Sequence, residues 1–209
     1  MRFAALLNKE LREGLRAGWA NIPAAALATV LLLSLSKTGS SLVVFLPLIA
    51  MPFHAGTVLS RSIQTERLRG GLLPLLIYGG SPAEVWMAKV LGAFLLAYAT
   101  MLLSLVAFAA WIAPPPLAAL PHILFTMPLA SLSLIGIEGL LFWTLGHSSL
   151  LTTILPLALL FGTSQLVARF RLGPLTASSI VATIAVSLTL FALLTLAVTR
   201  YPRERLAAT

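Results

Sequence analysis

The sequence predicts an all-α integral membrane protein, with an N-terminal amphipathic helix at the membrane interface followed by six transmembrane helices. Apolar residues make up 59% of the chain and charged residues only 10%, whereas soluble domains carry about 25% charged residues. The mean hydropathy is +0.99. Long uncharged runs separate short charged segments, and a membrane-crossing helix needs about 20 predominantly apolar residues. These runs are too long and continuous for the strands of a membrane barrel.

The first 18 residues are predicted to form the interfacial helix. One helical face holds apolar residues and the other holds charges, a pattern typical of a helix that lies in the membrane surface. A solvated charged leader is the alternative. We expect the segment to be retained, because charges continue through Arg16 and no small-residue cleavage site follows. The apolar face comprises Phe3, Ala4, Leu7, Leu11 and Leu15, and the charged face Arg2, Lys9, Arg12, Glu13 and Arg16.

The first three spans follow from three uncharged runs. Ala17–Ser36 and Ser40–Ser60 are separated by a short turn at Lys37 and predict spans one and two. The run Val90–Ile137 is long enough for two spans, and three consecutive prolines at 114–116 divide it. Proline lacks the backbone N–H and clashes with the preceding helical turn, so we expect span three to end there.

The remaining spans complete one membrane domain over residues 1–209. Span four is predicted from Pro121 to Leu145, span five covers Leu150–Val167, and span six covers Ser178–Thr199. No soluble segment is long enough to bury a core of its own. We therefore expect a single transmembrane unit with a cytoplasmic segment at 61–83 and a cytoplasmic tail at 200–209.

The basic residues predict the orientation. With six spans both termini lie on one side, and placing them inside leaves only Lys37, Arg169 and Arg171 outside. An excess of lysine and arginine on the cytoplasmic side is the usual arrangement. The residues predicted to be inside are Arg2, Lys9, Arg12, Arg16, Arg61, Arg67, Arg69, Lys89, Arg200, Arg203 and Arg205.

Several kinds of chemistry are disfavoured. The net charge of +8 comes from residues at the ends of spans and not from a basic face of a soluble fold, so we expect no nucleic-acid partner. No lysine lies in a phosphate-binding loop, so we expect no nucleotide hydrolysis by the chain itself. An intramembrane serine enzyme would use Ser164, but no histidine follows it to act as a base. We expect neither a metal nor a cofactor, since the three histidines fall at different depths.

Glu138 and His54 are polar residues inside predicted spans. An acid within a span is costly, and it usually faces a protein interior or a water-filled cavity. Two interpretations follow for Glu138, a substrate path or a structural pairing with a neighbouring helix. We take Glu138 and His54 as candidate substrate-path or intramembrane polar residues.

Residues 61–89 form a charged island between two apolar runs. Gln64, Thr65, Glu66, Arg67 and Arg69 belong to a short polar segment that is predicted to be helical, and Gly70 and Gly71 are expected to end it. Further along, Ser81, Pro82 and Glu84 match the N-cap, the first helical position and the acid of a capping box. Span three is therefore expected to begin as a helix outside the membrane.

The island resembles the region between spans two and three of the permease subunits of ABC-2-type exporters. The matching residues are Glu66-Arg67, Gly70-Gly71-Leu72, Ser81-Pro82 and Ala88-Lys89-Val90. Within that group the chain is most similar to the CcmB family, the haem-exporter permeases of cytochrome c maturation. Leu150–Leu157, with its Leu-Pro-Leu ending, also resembles that family. Leu73-Pro74 departs from it, since an acid is common at this position, and Glu138 has no obvious counterpart.

The resemblance implies an ABC-2-type permease architecture in a cell inner membrane. It implies that Gln64, Thr65, Glu66, Arg67, Arg69, Gly70 and Gly71 couple the chain to a separate ABC ATPase. It also implies a second permease subunit, identical or different, and other membrane subunits of cytochrome c maturation as partners beside the lipid bilayer. Haem export is the implied process. The alternatives are export of lipid, drug or polysaccharide, or a non-transporting membrane scaffold of an assembly complex.

Overall fold

The computed structural model describes residues 2–18, 39–68, 81–111, 114–115, 117–145 and 177–200. All regular structure in these ranges is helical, which confirms the all-α part of the predicted fold class, while the six spans and the ABC-2-type architecture stay predictions. The helices are α1 (Arg2–Gly18), α2 (Gly39–Leu68), α3 (Pro82–Trp111), α4 (Met127–Leu145) and α5 (Ala177–Thr199). A short 3₁₀ turn, Leu117–Ala119, and a π-helical turn, His122–Thr126, precede α4.

Three helical segments are long and apolar enough to cross a membrane. They are Pro82–Trp111, His122–Thr144 and Ile180–Thr199, with mean hydropathies of 2.2, 1.7 and 2.4. They coincide with predicted spans three, four and six. Predicted span two forms most of α2, but its crossing of the membrane stays a prediction. Beyond Gly18, predicted span one lies outside the described residues, as does the whole of span five.

Helix α2 joins a predicted span to the charged island without a break. It runs for 30 residues and contains Pro47 and Pro52. In a membrane protein, prolines inside a helix are tolerated where neighbouring helices satisfy the freed backbone groups. The helix continues through Glu66 to Leu68, so the first part of the island is an extension of the span. Gly70 and Gly71, the predicted stop, lie outside the described residues.

The predicted start and end of α3 are both confirmed. Glu84 N donates to Ser81 Oγ at 3.2 Å, and Ser81 N donates to Glu84 Oε2 at 2.9 Å. This reciprocal pair is a capping box, and it satisfies backbone donors that the first helical turn leaves free. At the other end α3 stops at Trp111, and Pro114 and Pro115 are not helical.

Helices α2 and α4 run parallel. Ser131 of α4 contacts Met51 of α2 at 3.5 Å, and Glu138 of α4 lies beside Gly56 of α2. Both contacts advance in the same direction along the two helices. Helix α5 also runs parallel to α4, since Ser133 Oγ donates to the Ser187 carbonyl and Gly136 packs against Phe191 and Leu194.

Helix α3 runs in the opposite direction. Its Tyr98 hydroxyl donates to the Leu124 carbonyl at 3.0 Å, while the earlier residues Trp86 and Val90 lie against Gly139. Predicted spans two, four and six should share one direction, and span three should oppose them. The observed directions agree with that alternation. The core between these helices includes Met51, Leu59, Trp86, Val90, Ile135 and Phe142.

Helix α1 packs against α3 through a stripe that the sequence did not single out. Leu6 packs on the core, Glu10 is buried, and a side chain at Gly14 would collide with Leu96. The predicted apolar face is less buried, and Leu15 is 48% exposed. Leu7 of that face still lies near Gly92 of α3, and the Leu6–Glu10–Gly14 stripe attaches α1 to the protein.

Candidate functional site

A buried group of charged side chains joins α1, α2 and α3. Lys89 of α3 lies at its centre, with a side chain only 1% exposed. Its Nζ donates to Glu10 Oε1 of α1 at 2.9 Å and to Ser62 Oγ of α2 at 2.7 Å. The same Nζ lies 2.7 Å from Glu66 Oε2 of α2 as an ion pair. We call Lys9, Glu10, Ser62, Glu66 and Lys89 the junction network.

Lys9 forms the outer part of the junction network. Its Nζ donates to Glu66 Oε1 at 2.6 Å and lies 3.5 Å from Glu13 Oε2. Ser62 Oγ donates to Glu10 Oε2 at 2.8 Å, which closes the network. Partial burial lowers the pKa of Lys9, but the hydrogen bond and negative charge of Glu66, with smaller contributions from Glu10 and Glu13, outweigh it. The pKa of Lys9 is therefore raised above 10.5.

Local structure brings these residues together. Ser62 and Glu66 are four residues apart on α2 and therefore share a helical face. Gly92 lies one turn after Lys89 on α3, and a side chain there would meet Glu10 Cβ at 3.1 Å. The glycine therefore lets α1 approach closely enough for Glu10 to contact Lys89. Two ammonium groups and two buried carboxylates share this space, so the charges largely compensate one another.

Three carboxylates in this region could in principle hold a metal ion. The nearest oxygens of Glu10, Glu13 and Glu66 lie within 4.8 Å of one another. However, Lys9 Nζ lies 3.6, 3.5 and 2.6 Å from carboxylate oxygens of these residues. The ammonium group therefore takes the position that a cation would need. The chemistry of this group is that of an ionic joint between helices.

The predicted coupling residues have different environments. Thr65 is exposed and Gln64 is partly exposed, so both are accessible to a partner. Glu66 is buried and has two lysine partners within the chain. The backbone of Arg67 belongs to α2, but its side chain lies outside the described residues, as do Arg69, Gly70 and Gly71. That the coupling group contacts an ATPase stays a prediction.

Glu138 is fully buried at 0% exposure, in contact with α2. A Cβ at Gly56 would lie 3.1 Å from Glu138 Oε2 and 3.3 Å from Oε1. Gly56 therefore makes the space that the carboxyl group fills. Within the described ranges, neither carboxyl oxygen has a hydrogen-bond partner.

His54 does not join Glu138. The two residues were predicted together, but Gly56, which contacts Glu138, lies two positions after His54. Residues two apart on an α-helix project about 200° from one another, so His54 faces the other side of α2. Its ring instead meets Phe53 edge to face at 5.7 Å.

Sequence reasoning missed Lys9, Glu10 and Ser62 as functional residues. It placed Lys9 on the charged face of α1 and assigned Glu10 to neither face. The spacing of Ser62 and Glu66 was a weak signal for a polar helix face, but their partners are 52 and 57 residues away in the sequence. Lys89 belongs to one of the motifs that carry the family resemblance, but the sequence did not predict that it is buried between two acids.

Comparison with known proteins yields no relative. No protein-family model, curated protein or solved structure matches this chain.

Proposed function

We propose that this chain is the membrane permease subunit of an ABC-type exporter and that a separate ATPase docks on residues 61–83. The observation that supports this proposal is the junction network. It links Glu66, near the start of the charged island, to Lys89, near its end, and both to α1. A partner that moves the island would therefore displace two long helices together.

The mechanism is mechanical. ATP-driven closure of the ATPase pushes on the exposed side of the island, where Gln64 and Thr65 lie. Helices α2 and α3, each 30 residues long, then transmit the displacement into the membrane as rigid elements. Glu66 acts as a positioning residue in this scheme, because its carboxylate is engaged by Lys9 and Lys89. Arg67 and Arg69 supply the direct charge-assisted contacts with the ATPase.

The rest of the assembly follows from the same proposal. A second permease subunit completes the export path. The protein lies in the inner membrane of the cell, and both of its termini are cytoplasmic. Haem, supplied to cytochrome c maturation, is the cargo that the sequence resemblance favours. The three confirmed membrane-length helices support a membrane location in general.

Site-specific photo-crosslinking tests the docking surface. A photoreactive benzoylphenylalanine replaces Thr65, which is exposed on the island part of α2. The control position is Val106, which is 68% exposed on α3 beyond the island. After irradiation in native membranes, we expect the Thr65 variant to capture a chain with a phosphate-binding loop and ATPase motifs, identified by mass spectrometry. The Val106 variant should not capture it.

Two outcomes would contradict the proposal. One is capture of the same ATPase from both positions, which would indicate random collision. The other is a stable purified complex whose crosslinked partners at Thr65 include no ATPase, which would favour the scaffold alternative. Reversal of the charge at Arg67, with Glu66 left in place, provides a second test, since it should lower the amount of ATPase that co-purifies.

A further inference from the structure

Glu138 is the one described acid whose carboxyl oxygens both lack a hydrogen-bonding or ionic partner among the described residues. It is fully buried. By contrast, Glu10 and Glu66 are paired with lysines, and Glu84 forms the capping box. A buried acid in the membrane is normally paired or faces a path for ions or substrate. The partner of Glu138 therefore has to be found elsewhere.

The described residues that pack against this part of α4 carry no positive charge. Helix α2 contributes Gly56 at the carboxyl group itself. On either side along α4, Gly139 meets Trp86 and Val90 of α3, and Gly136 meets Phe191 and Leu194 of α5. The indole Nε1 of Trp86 is a buried hydrogen-bond donor without a partner in the described part of the chain.

The basic side chains in the part of the chain that the structure describes lie elsewhere. Lys9 and Lys89 belong to the junction network, and Arg12, Arg16, Arg61 and Arg200 are exposed. The sequence adds a second argument, because residues 90–168 contain no lysine or arginine. The chain following Glu138 can therefore bring neither an ammonium nor a guanidinium group to it until residue 169, beyond predicted span five.

We infer that Glu138 is the intramembrane anchor for a positively charged group of the transported molecule, a lipophilic ammonium or a group of similar chemistry. This inference rests on the proposed export function, but not on haem as the cargo, because the charged groups of haem are carboxylates and would not pair with Glu138. A cation offers the strongest compensation for a buried carboxylate. In the described structure the carboxyl group is inaccessible and abuts Gly56. Cargo would reach it when α2 moves relative to α4.

The position of Gly56 connects this site to the junction network. Gly56 and Glu66 are ten residues apart on the continuous helix α2, which is about 15 Å at the helical rise. Movement of the island end of α2 would therefore also move the residue that covers Glu138. Opening of the site to the cation is thereby linked to the proposed docking of the ATPase.

Carbodiimide labelling of the purified protein in phosphatidylcholine nanodiscs tests the site. Dicyclohexylcarbodiimide modifies carboxyl groups in apolar surroundings, and mass spectrometry measures modification of the peptide that contains Glu138. The probe is decyltrimethylammonium, and decyl sulfate is the control because it has the same chain length and the opposite charge. At about ten times its dissociation constant, the cation should slow modification of Glu138 about tenfold. Decyl sulfate should leave the modification rate of Glu138 unchanged.

A second measurement uses Glu138→Gln, which keeps the shape of the side chain and removes its charge. Decyltrimethylammonium should raise the apparent unfolding temperature of the original protein and not that of Glu138→Gln, once gel filtration shows that the variant is folded. Equal protection by the cation and the anion, or equal thermal shifts of both proteins, would overturn the inference. Loss of cation selectivity with ATPase capture retained at Thr65 would refute the cargo site alone. Cation selectivity without capture of an ATPase at Thr65 would refute the exporter function and would still support a cation site at Glu138.

Discussion

At the scale of single residues, Lys89 explains how three helices meet at the charged island. An ammonium group 1% exposed loses most of its hydration, and only close anionic and polar partners can offset that loss. Glu10, Ser62 and Glu66 provide them at 2.7–2.9 Å. These partners come from α1 and α2, so the contacts of Lys89 fix the positions of α1, α2 and α3 relative to one another.

Replacement of Lys89 by Met should destabilise the protein strongly. Methionine fills a similar volume, but it leaves the carboxylates of Glu10 and Glu66 buried without their central cation. Removal of one partner of a buried ionic group costs about 3–5 kcal/mol, so the apparent unfolding temperature in detergent should fall markedly. Leu103→Met, at a site 54% exposed on the same helix, is the control and should change little. Equal unfolding temperatures for the two variants would show that the network contributes no net stability.

Gly56 gives a second prediction at this scale. Gly56→Val places side-chain atoms where Glu138 Oε2 and Oε1 now lie, at 3.1 and 3.3 Å from a Cβ. Such overpacking of a core costs about 1–3 kcal/mol. Glu138→Ala removes the obstructing carboxyl group, so the double variant should be more stable than the sum of the two single effects implies. Additive losses of stability in this double-mutant cycle would contradict the contact.

At the scale of elements, α1 has two sides with different partners. Its Leu6–Glu10–Gly14 stripe packs on the bundle, whereas Leu15 and the charges of Arg12, Glu13 and Arg16 remain exposed. An unattached interfacial helix would bury only its apolar face in lipid. The burial of Glu10 shows that α1 is a packed part of the protein, and its predicted position at the interface stays a prediction.

The attachment of α1 should depend on pH through Lys9. The folded-state pKa of Lys9 is raised above 10.5, so the charged form is favoured by folding. Its contribution is fully present below pH 10.5 and is lost as the pH rises through the higher folded-state pKa. The chain has no cysteine, so spin labels at Arg16→Cys and Arg61→Cys can report the distance between α1 and α2. We expect a constant distance at neutral pH and an increase above pH 10.5.

Lys9→Met provides the control for this titration. The methionine side chain cannot titrate. In this variant, the increase in the distance between the spin labels above pH 10.5 that Lys9 causes should therefore be lost. An identical step in Lys9→Met would assign the transition to another group.

At the scale of the whole molecule, the helix directions determine which ends lie together. Helices α2, α4 and α5 run one way and α3 runs the other, as the contacts of Ser131, Ser133 and Gly139 show. Arg61 and Arg200 should therefore lie on one side of the membrane and Pro114 on the other. The excess of basic residues predicts that the first side is cytoplasmic.

Single-cysteine labelling tests this topology in a chain without native cysteine. In inverted inner-membrane vesicles, a membrane-impermeant maleimide should modify Arg61→Cys and Arg200→Cys and spare Pro114→Cys. The pattern should reverse in right-side-out vesicles. Modification of residues 61 and 114 from the same side would contradict the helix order described above.

Local patterns in the sequence determined several parts of this protein. The apolar runs, the proline triplet and the Ser81–Glu84 capping box predicted three membrane-length helices and the limits of α3. These features depend on residues close together in the chain, where hydrophobicity, a missing backbone donor or a capping side chain acts directly on local structure. The charged island was also recognisable, because charges within an apolar chain are conspicuous.

Only the tertiary structure decided which charges meet. Lys89 and Glu10 are 79 residues apart in the sequence, and their ion pair depends on how α1 packs against Gly92. Likewise, the sequence grouped His54 with Glu138, but the rotation of α2 directs Gly56 to the acid and His54 away from it. Hydrophobic periodicity indicates which face of a helix is buried, but it does not indicate which neighbouring helix that face contacts. The packing of glycines against side chains on other helices determined that.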